Sequence, residues 1–214
     1  MSLTISEIFH SIQGESSWAG LPFVFVRLTG CNLRCRYCDT RYAYDGGQPM
    51  TVDAILQRIA AFGCPRVLLT GGEPLLQGTT PQLAEALSDR GYTVTVETNG
   101  SLDIGVLDAR CHRIMDIKCP SSGMQHHQRW ANLDLLAPGD EVKFVVADRD
   151  DFQYALDILP RLAARQAAER ILFSPAQGIL PPRQLADWLL ATRTEARLQL
   201  QLHKILWPDQ DRGV

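Results

Sequence analysis

The chain has 214 residues, 45% of them hydrophobic and 21% charged, with a formal net charge of −3. That suits a single domain over residues 1–214 with a substantial core. The slight acidity argues against a chain built to grip a nucleic-acid backbone, so no nucleic-acid partner is expected.

No run of about 18 apolar residues suggests a membrane span, so no membrane partner is expected either. The opening "MSLTISEIFHSIQGES" lacks the basic-then-apolar layout of a signal peptide. The expected location is cytoplasmic, where thiols stay reduced. Six cysteines in that setting read better as ligands, nucleophiles or buried small hydrophobes than as a disulfide framework.

Short apolar runs alternate with helical patterns. "FVFVRLT" (23–29) reads as a strand, rich in β-branched and aromatic residues. "TVDAILQRIAAFG" (51–63) has helical periodicity, with Thr51 as N-cap, Asp53 in the first turn and Gly63 as the stop. "RVLLT" (66–70) is a second strand. "TPQLAEALSDRG" (80–91) reads as a helix capped by Thr80, with Pro81 in its first turn and Gly91 past its end. "YTVTVET" (92–98), "RIMDIK" (113–118), "EVKFVVA" (141–147) and "RILFSP" (170–175) are four more strands. "FQYALDILPRLAARQAA" (152–168), interrupted at Pro160, and "PRQLADWLLATRT" (182–194) read as helices, and "ARLQLQLHK" (196–204) alternates as a strand does.

Strands alternating with helices imply βαβ units and a mainly parallel sheet. A full eight-unit barrel usually takes about 250 residues. The expected fold is therefore α/β: an incomplete TIM-type barrel or strongly curved sheet with abbreviated helical crossovers. Both architectures put function at the C-terminal ends of the strands. The cysteine-rich stretch follows the first strand, "TGGEP" ends the second, "ETNG" the third and "DIKCPSSG" the fourth. Four unusual stretches thus fall on one face.

The stretch "LTGCNLRCRYCDT" (28–40) carries Cys31, Cys35 and Cys38 at C-x3-C-x2-C spacing. Thiolates suit zinc, Cu(I) and iron–sulfur clusters. A structural zinc needs a fourth ligand, for which His10 and the distant cysteines are candidates. A [4Fe–4S] cluster on three thiolates instead keeps one iron open to a small molecule.

C-x3-C-x2-C after a first strand, followed by "GGEP" (71–74) after the second, resembles the paired signature of the radical S-adenosylmethionine (radical SAM) superfamily. The resemblance implies a (β/α)6 partial barrel, a [4Fe–4S] cluster on Cys31, Cys35 and Cys38, and SAM chelated by the open iron. Reductive cleavage of SAM then gives a 5′-deoxyadenosyl radical. By the same resemblance Tyr37, Cys38 and Asp39 approach SAM. Gly71 and Gly72 permit close backbone approach, and their carbonyls with Glu73 accept from its ammonium. Glu97, Thr98 and Asn99 lie toward the ribose. Lys118 pairs with the SAM carboxylate, beside Asp116, Ser121 and Ser122. Ser174, Pro175, Ala176 and Gln177 close around the adenine. Cys64 and Cys111 read as packing; Cys119 stays open.

"EIFHSIQGES", "FVRLTGCNLRCRYCDT" and "LHKILWPDQDRGV" resemble, more narrowly, the 7-carboxy-7-deazaguanine synthase family. That implies radical ring contraction of 6-carboxy-5,6,7,8-tetrahydropterin with loss of ammonia, a requirement for Mg²⁺, an electron donor such as flavodoxin or ferredoxin, and a homodimer. Gln13, with the backbone of Ile12 and Gly14, would match the pterin's donors and acceptors. Glu15 would accept from its guanidine-like edge, and Arg27 would hold its carboxylate. Thr40 would be the Mg²⁺ ligand. Thr70 would touch substrate, while His203 and the C-terminal segment (204–214), ending at Val214, would cover the pocket with help from residues 1–21. Two alternatives stand beside this reading: a glycyl-radical-enzyme activase of the same superfamily, and a non-catalytic zinc-binding domain.

Overall fold

Residues 1–163 and 166–214 are described in the structure, a computed structural model. The chain opens on a strand that periodicity alone does not show, β1 (Ser2–Ile12). Leu3 and Ile5 are buried on one face, but the next core residue is Ile8, because the register shifts between Ile5 and Glu7. A bulge of this kind breaks the period of two that identifies a strand. β2 (Pro22–Leu28) pairs antiparallel with β1, and β3 (Gln48–Thr51) covers β1's other edge.

The rest is βαβ. α1 (Val52–Ala60) starts as expected, with Thr51 accepting the Ala54 amide at 3.2 Å. β4 (Arg66–Gly71), α2 (Thr80–Asp89), β5 (Thr93–Thr98), β6 (His112–Asp116) and β7 (Glu141–Val146) follow. Then come α3 (Arg149–Leu162), β8 (Ile171–Pro175), α4 (Pro182–Thr192), β9 (Arg197–Leu198) and α5 (Leu202–Leu206). Sheet order is β3-β1-β2-β4-β5-β6-β7-β8-β9, and every pair from β2 to β9 is parallel. The sheet is open and curved, and only 3-10 turns, no α-helix, connect β5 to β6 and β6 to β7 among the described residues. These are the abbreviated crossovers the sequence implied.

Three expectations change. Thr80 is not the cap of α2; it is buried, and its hydroxyl donates to the Pro74 carbonyl at 2.5 Å. The helix placed at 152–168 starts earlier, because Asp148 caps it by accepting the Asp151 amide. It passes through Pro160, which sits in the last turn, and ends at Leu162; the expected continuation crosses 164–165, outside the described residues. The strand placed at 196–204 lasts two residues. Beyond it the Leu202 amide donates to Gly14, and the chain turns into α5.

Alternation along the strands divides the sheet into two faces. Val24, Val26, Leu28, Val67 and Leu69 pack outward against Ile55 and Ile59 of α1 and Leu83 and Leu87 of α2. Val142, Phe144, Val146 and Phe173 do the same against α3 and α4. The inner face is floored by Phe23, Phe25 and Leu68. The next inward positions along the same strands are Arg27, paired with Thr70, and, further across, Lys143. The apolar floor thus gives way to a polar rim at the strand ends. Phe173 lies 5.4 Å from Phe144 and 5.6 Å from Phe152, ring to ring. Phe173→Ala is expected to lower stability by about 3–5 kcal/mol, read by chemical denaturation.

Candidate active site

The strand ends surround one cavity of about 470 Å³, and the cysteine loop forms one of its walls. The loop is tied down on all sides. The Gly30 amide donates to Ala43 and the Glu73 amide to Gly30, both at 2.8 Å, and the Arg36 amide donates to Ser122 at 3.1 Å. Arg34 donates to the carbonyls of Cys31 and Leu33, both at 2.7 Å, and its guanidinium lies 4.3 Å from the Tyr44 ring centre. Cys31, Cys35 and Cys38 are free thiols, each partly buried. The Cys31 sulfur accepts from the Leu33 amide at 3.4 Å. Burial raises the pKa of Cys31 and of Cys35 above the ordinary thiol value. A bound cation is what converts such thiols to thiolate ligands. A four-iron cluster takes each thiolate on its own iron, and three uncommitted thiols on one rigid loop fit that demand.

The two glycines at the end of β4, Gly71 and Gly72, are required first by the protein itself. A Cβ on Gly72 would strike the Gly30 carbonyl and lie 2.7 Å from Cys31 Cβ, so the turn packs directly on the cysteine loop. Glu73 departs from its expected place. It is fully buried and outside the cavity lining, where it accepts from the amides of Leu75 (3.0 Å) and Asn99 (2.7 Å) and the Thr98 hydroxyl (2.9 Å). Burial raises its pKa, against those hydrogen bonds. Its carboxylate is spent on fixing the end of β5, so Thr98 and Asn99 face the cavity and Glu73 does not.

An ionic cluster crosses the cavity. Lys143 of β7, 6% exposed, pairs with Glu15 at 2.6 Å and with Glu97, and lies 3.9 Å from Asp116. Asp116 in turn accepts from Lys118 at 2.7 Å. Gln199 and Gln201 donate to Glu15 at 3.2 and 2.8 Å, and Thr70 donates to Glu97 at 3.2 Å. Burial opposes ionisation of Glu15, yet Lys143 outweighs it and holds the carboxyl below its usual range. Burial likewise disfavours the ammonium of Lys143, and Glu15, Glu97 and Asp116 reverse this and raise its pKa. Lys143 is absent from the sequence-derived candidates. Its signal is a lysine within an apolar strand, on the inward face with Glu141 and Val145.

The remaining candidates lie elsewhere around the same cavity. Arg27 pairs with Glu7 at 2.7 Å through Nε; among the described residues its two terminal nitrogens carry no bond. Thr40 donates to Asp39 at 2.8 Å, placing two oxygens side by side at the cavity. Ile12, Gln13, Gly14, His203 and Val214 line it too. A Cβ on Gly14 would collide with the His203 ring, so the C-terminal helix rests on that glycine. Tyr37 donates to the Val145 carbonyl at 3.3 Å, and Ala176 and Gln177 reach the lining. Ser121, Ser174 and Pro175 do not. Ser121 is bonded to Asp148 and Asp151, and Ser174 and Pro175 are buried in β8. Ser122 is buried as well, bonding Cys119.

Residues 25–168 match the family described as the radical SAM superfamily. The 7-carboxy-7-deazaguanine synthase of Chlorobaculum tepidum is 48% identical, over 99% of this chain and 97% of its own. That of Koribacter versatilis is 39% identical, over 99% of this chain and all of its own. The crystal structure of QueE from Escherichia coli superposes with a TM-score of 0.78 at 22% identity, covering 95% of each chain. That likeness carries the fold: a mainly parallel, unclosed sheet.

Burial lowers the pKa of His203, against Glu15 and Asp39. The unfolded chain therefore takes a proton on this imidazole that the folded one resists. Stability tied to His203 is present above the ordinary histidine range and falls as pH drops through it. His203→Gln is expected to flatten part of the stability loss between pH 7 and pH 5, measured as the difference from wild type in denaturation midpoint.

Proposed function

The chain belongs to the radical SAM superfamily, and within it to the 7-carboxy-7-deazaguanine synthases, and on that premise we propose how its residues act. The reaction is conversion of 6-carboxy-5,6,7,8-tetrahydropterin to 7-carboxy-7-deazaguanine and ammonia, in 7-deazapurine (queuosine) biosynthesis in the cytoplasm. The observation that carries this reading is full-length similarity to named synthases, joined to one cavity bounded by the thiol loop and by Gln13, Glu15, Arg27 and Thr70. That similarity also sets aside the activase and zinc-domain alternatives.

Cys31, Cys35 and Cys38 hold the cluster. Tyr37, Asp39, Gly71, Gly72, Thr98, Asn99, Asp116, Lys118, Ala176 and Gln177 form the SAM end, while Glu73, Ser121, Ser174 and Pro175 support it from behind. When bound, the cluster and SAM together supply a 5′-deoxyadenosyl radical. Lys118 is already paired with Asp116, and burial, which disfavours its charge, is outweighed by that carboxylate. It therefore meets the SAM carboxylate as an assured cation.

The chain's own work is placement. Arg27 offers two donors to the substrate carboxylate in the planar arrangement a guanidinium provides. Glu15 and Glu97 accept from the guanidine-like edge, and Gln13 supplies both donor and acceptor. Thr40, beside Asp39, takes Mg²⁺, an ion that keeps part of its oxygen shell from water and substrate. α5 and Val214 cover the site, which keeps water from a reactive radical and holds C6 of the pterin in place. A one-electron donor such as flavodoxin or ferredoxin, and assembly as a homodimer, complete the proposal.

Anaerobic turnover of cluster-reconstituted protein with substrate deuterated at C6 tests it. Deuterium is expected in 5′-deoxyadenosine or in recovered SAM, together with 7-carboxy-7-deazaguanine; absence of label from both overturns the hydrogen-abstraction step. Cys35→Ser is expected to abolish product and to lose the iron and sulfide that wild type retains.

A further inference from the structure

Lys143 has no role in the reading above, yet it is the most heavily engaged buried cation in the cavity. Its ammonium touches Glu15 from the loop after β1, Glu97 from the end of β5 and Asp116 from the end of β6. Without it, two half-buried carboxylates would face each other across a space of low polarity. Like charges so placed cannot both stay ionised, and one takes up a proton. A protonated carboxyl donates where the charged form accepts.

We propose that Lys143 is a positioning residue: its single ammonium is the shared counter-charge that lets Glu15 and Glu97 sit side by side, so that the cavity presents two acceptor carboxylates to a donor-rich ligand edge. Glu97 uses one oxygen on Lys143 and the other on the Thr70 hydroxyl, which leaves it further acceptor capacity. Glu15 is braced by Gln199 and Gln201, neutral amides that orient it but supply no charge. The other ionisable groups around the cluster are Lys118, which is committed to Asp116, and His203, whose pKa burial lowers against the pull of Glu15 and Asp39. Neither can replace Lys143 as the counter-charge for both glutamates.

The test has one arm that depends on the pterin reading and one that does not. In the independent arm, denaturation midpoints of cluster-loaded protein without substrate are compared across pH 6 to 8. In Lys143→Met one carboxyl has a raised folded pKa, so its stability is present at low pH and lost as pH rises through that value. The deficit relative to wild type is expected to widen with pH. Lys143→Arg is expected to show no such widening, and the double variant K143M/E15Q, which removes the repulsion, is expected to be flat again.

In the kinetic arm, KM for the pterin in Lys143→Met is expected to be roughly tenfold higher at pH 6 than at pH 8, with kcat changed far less. A deficit that is the same at every pH, with a pH-independent KM, would make Lys143 a packing residue and overturn the inference. If Lys143→Met does not fold, the double variant decides. Folding with a flat profile supports the proposal, and failure of both variants to fold overturns it. A wild type that forms no 7-carboxy-7-deazaguanine refutes the pterin reading alone, since the midpoints still report on Lys143.

Discussion

The buried lysine on β7 is the constraint from which the rest of the cavity follows. A parallel sheet that stops short of a barrel leaves one side open, between the edge strands β3 and β9. The loop 14–17 crosses that gap. Its Glu15 carboxylate is drawn to Lys143, the Ser16 amide donates to Gln199 at 2.5 Å, and the Ser17 amide donates to the fully buried Glu141. Lys143 and Glu141 are two residues apart on one strand and face the same way. One short stretch of β7 therefore anchors the loop at two points. A buried ion pair is costly to assemble and costlier to break one-sidedly, by about 3–5 kcal/mol. That asymmetry favours a single closed arrangement of the loop.

Closure of the loop then fixes the C-terminal end of the chain. Gly14 accepts from the Leu202 amide and receives the His203 ring where any side chain would block it. The final residues return across β1: the Gly213 amide donates to Glu7, and Arg212 lies 4.4 Å from the Tyr42 ring centre. Glu7 also holds Arg27. The residues expected to meet a carboxylated pterin are thus supported by both ends of the chain. The cysteine loop, on the far wall, is supported by the Gly71–Gly72 turn and by Ser122. Two braced walls facing one cavity are what a reaction between two bound molecules requires.

Much of this was legible in the residues. The cysteine spacing, the double glycine and the positions of Thr98, Asn99, Asp116 and Lys118 at strand ends follow from strand periodicity and the rule that parallel strands present function at their C-terminal ends. The first strand was hidden because a bulge between Ile5 and Glu7 shifts its alternation. The alternation at 196–204 was real, and it does put Gln199 and Gln201 on one face, but that face serves Glu15 rather than a long strand. Glu73 was misplaced because its short-range context, a turn at a strand end, does not say which way the carboxylate points. The orphan amide at Asn99, 26 residues on, decides it.

The sequence by itself determined the alternating α/β architecture, the thiol triplet and the family, because these depend on local periodicity and on spacing within a single loop. Only the tertiary structure decided that Lys143 joins Glu15 and Glu97, residues 128 and 46 positions away. A lysine within an apolar strand has no local partner to announce it. Its charge is tolerable only where the curvature of the sheet and the crossing loop bring carboxylates to it, and that meeting exists only once the chain has folded.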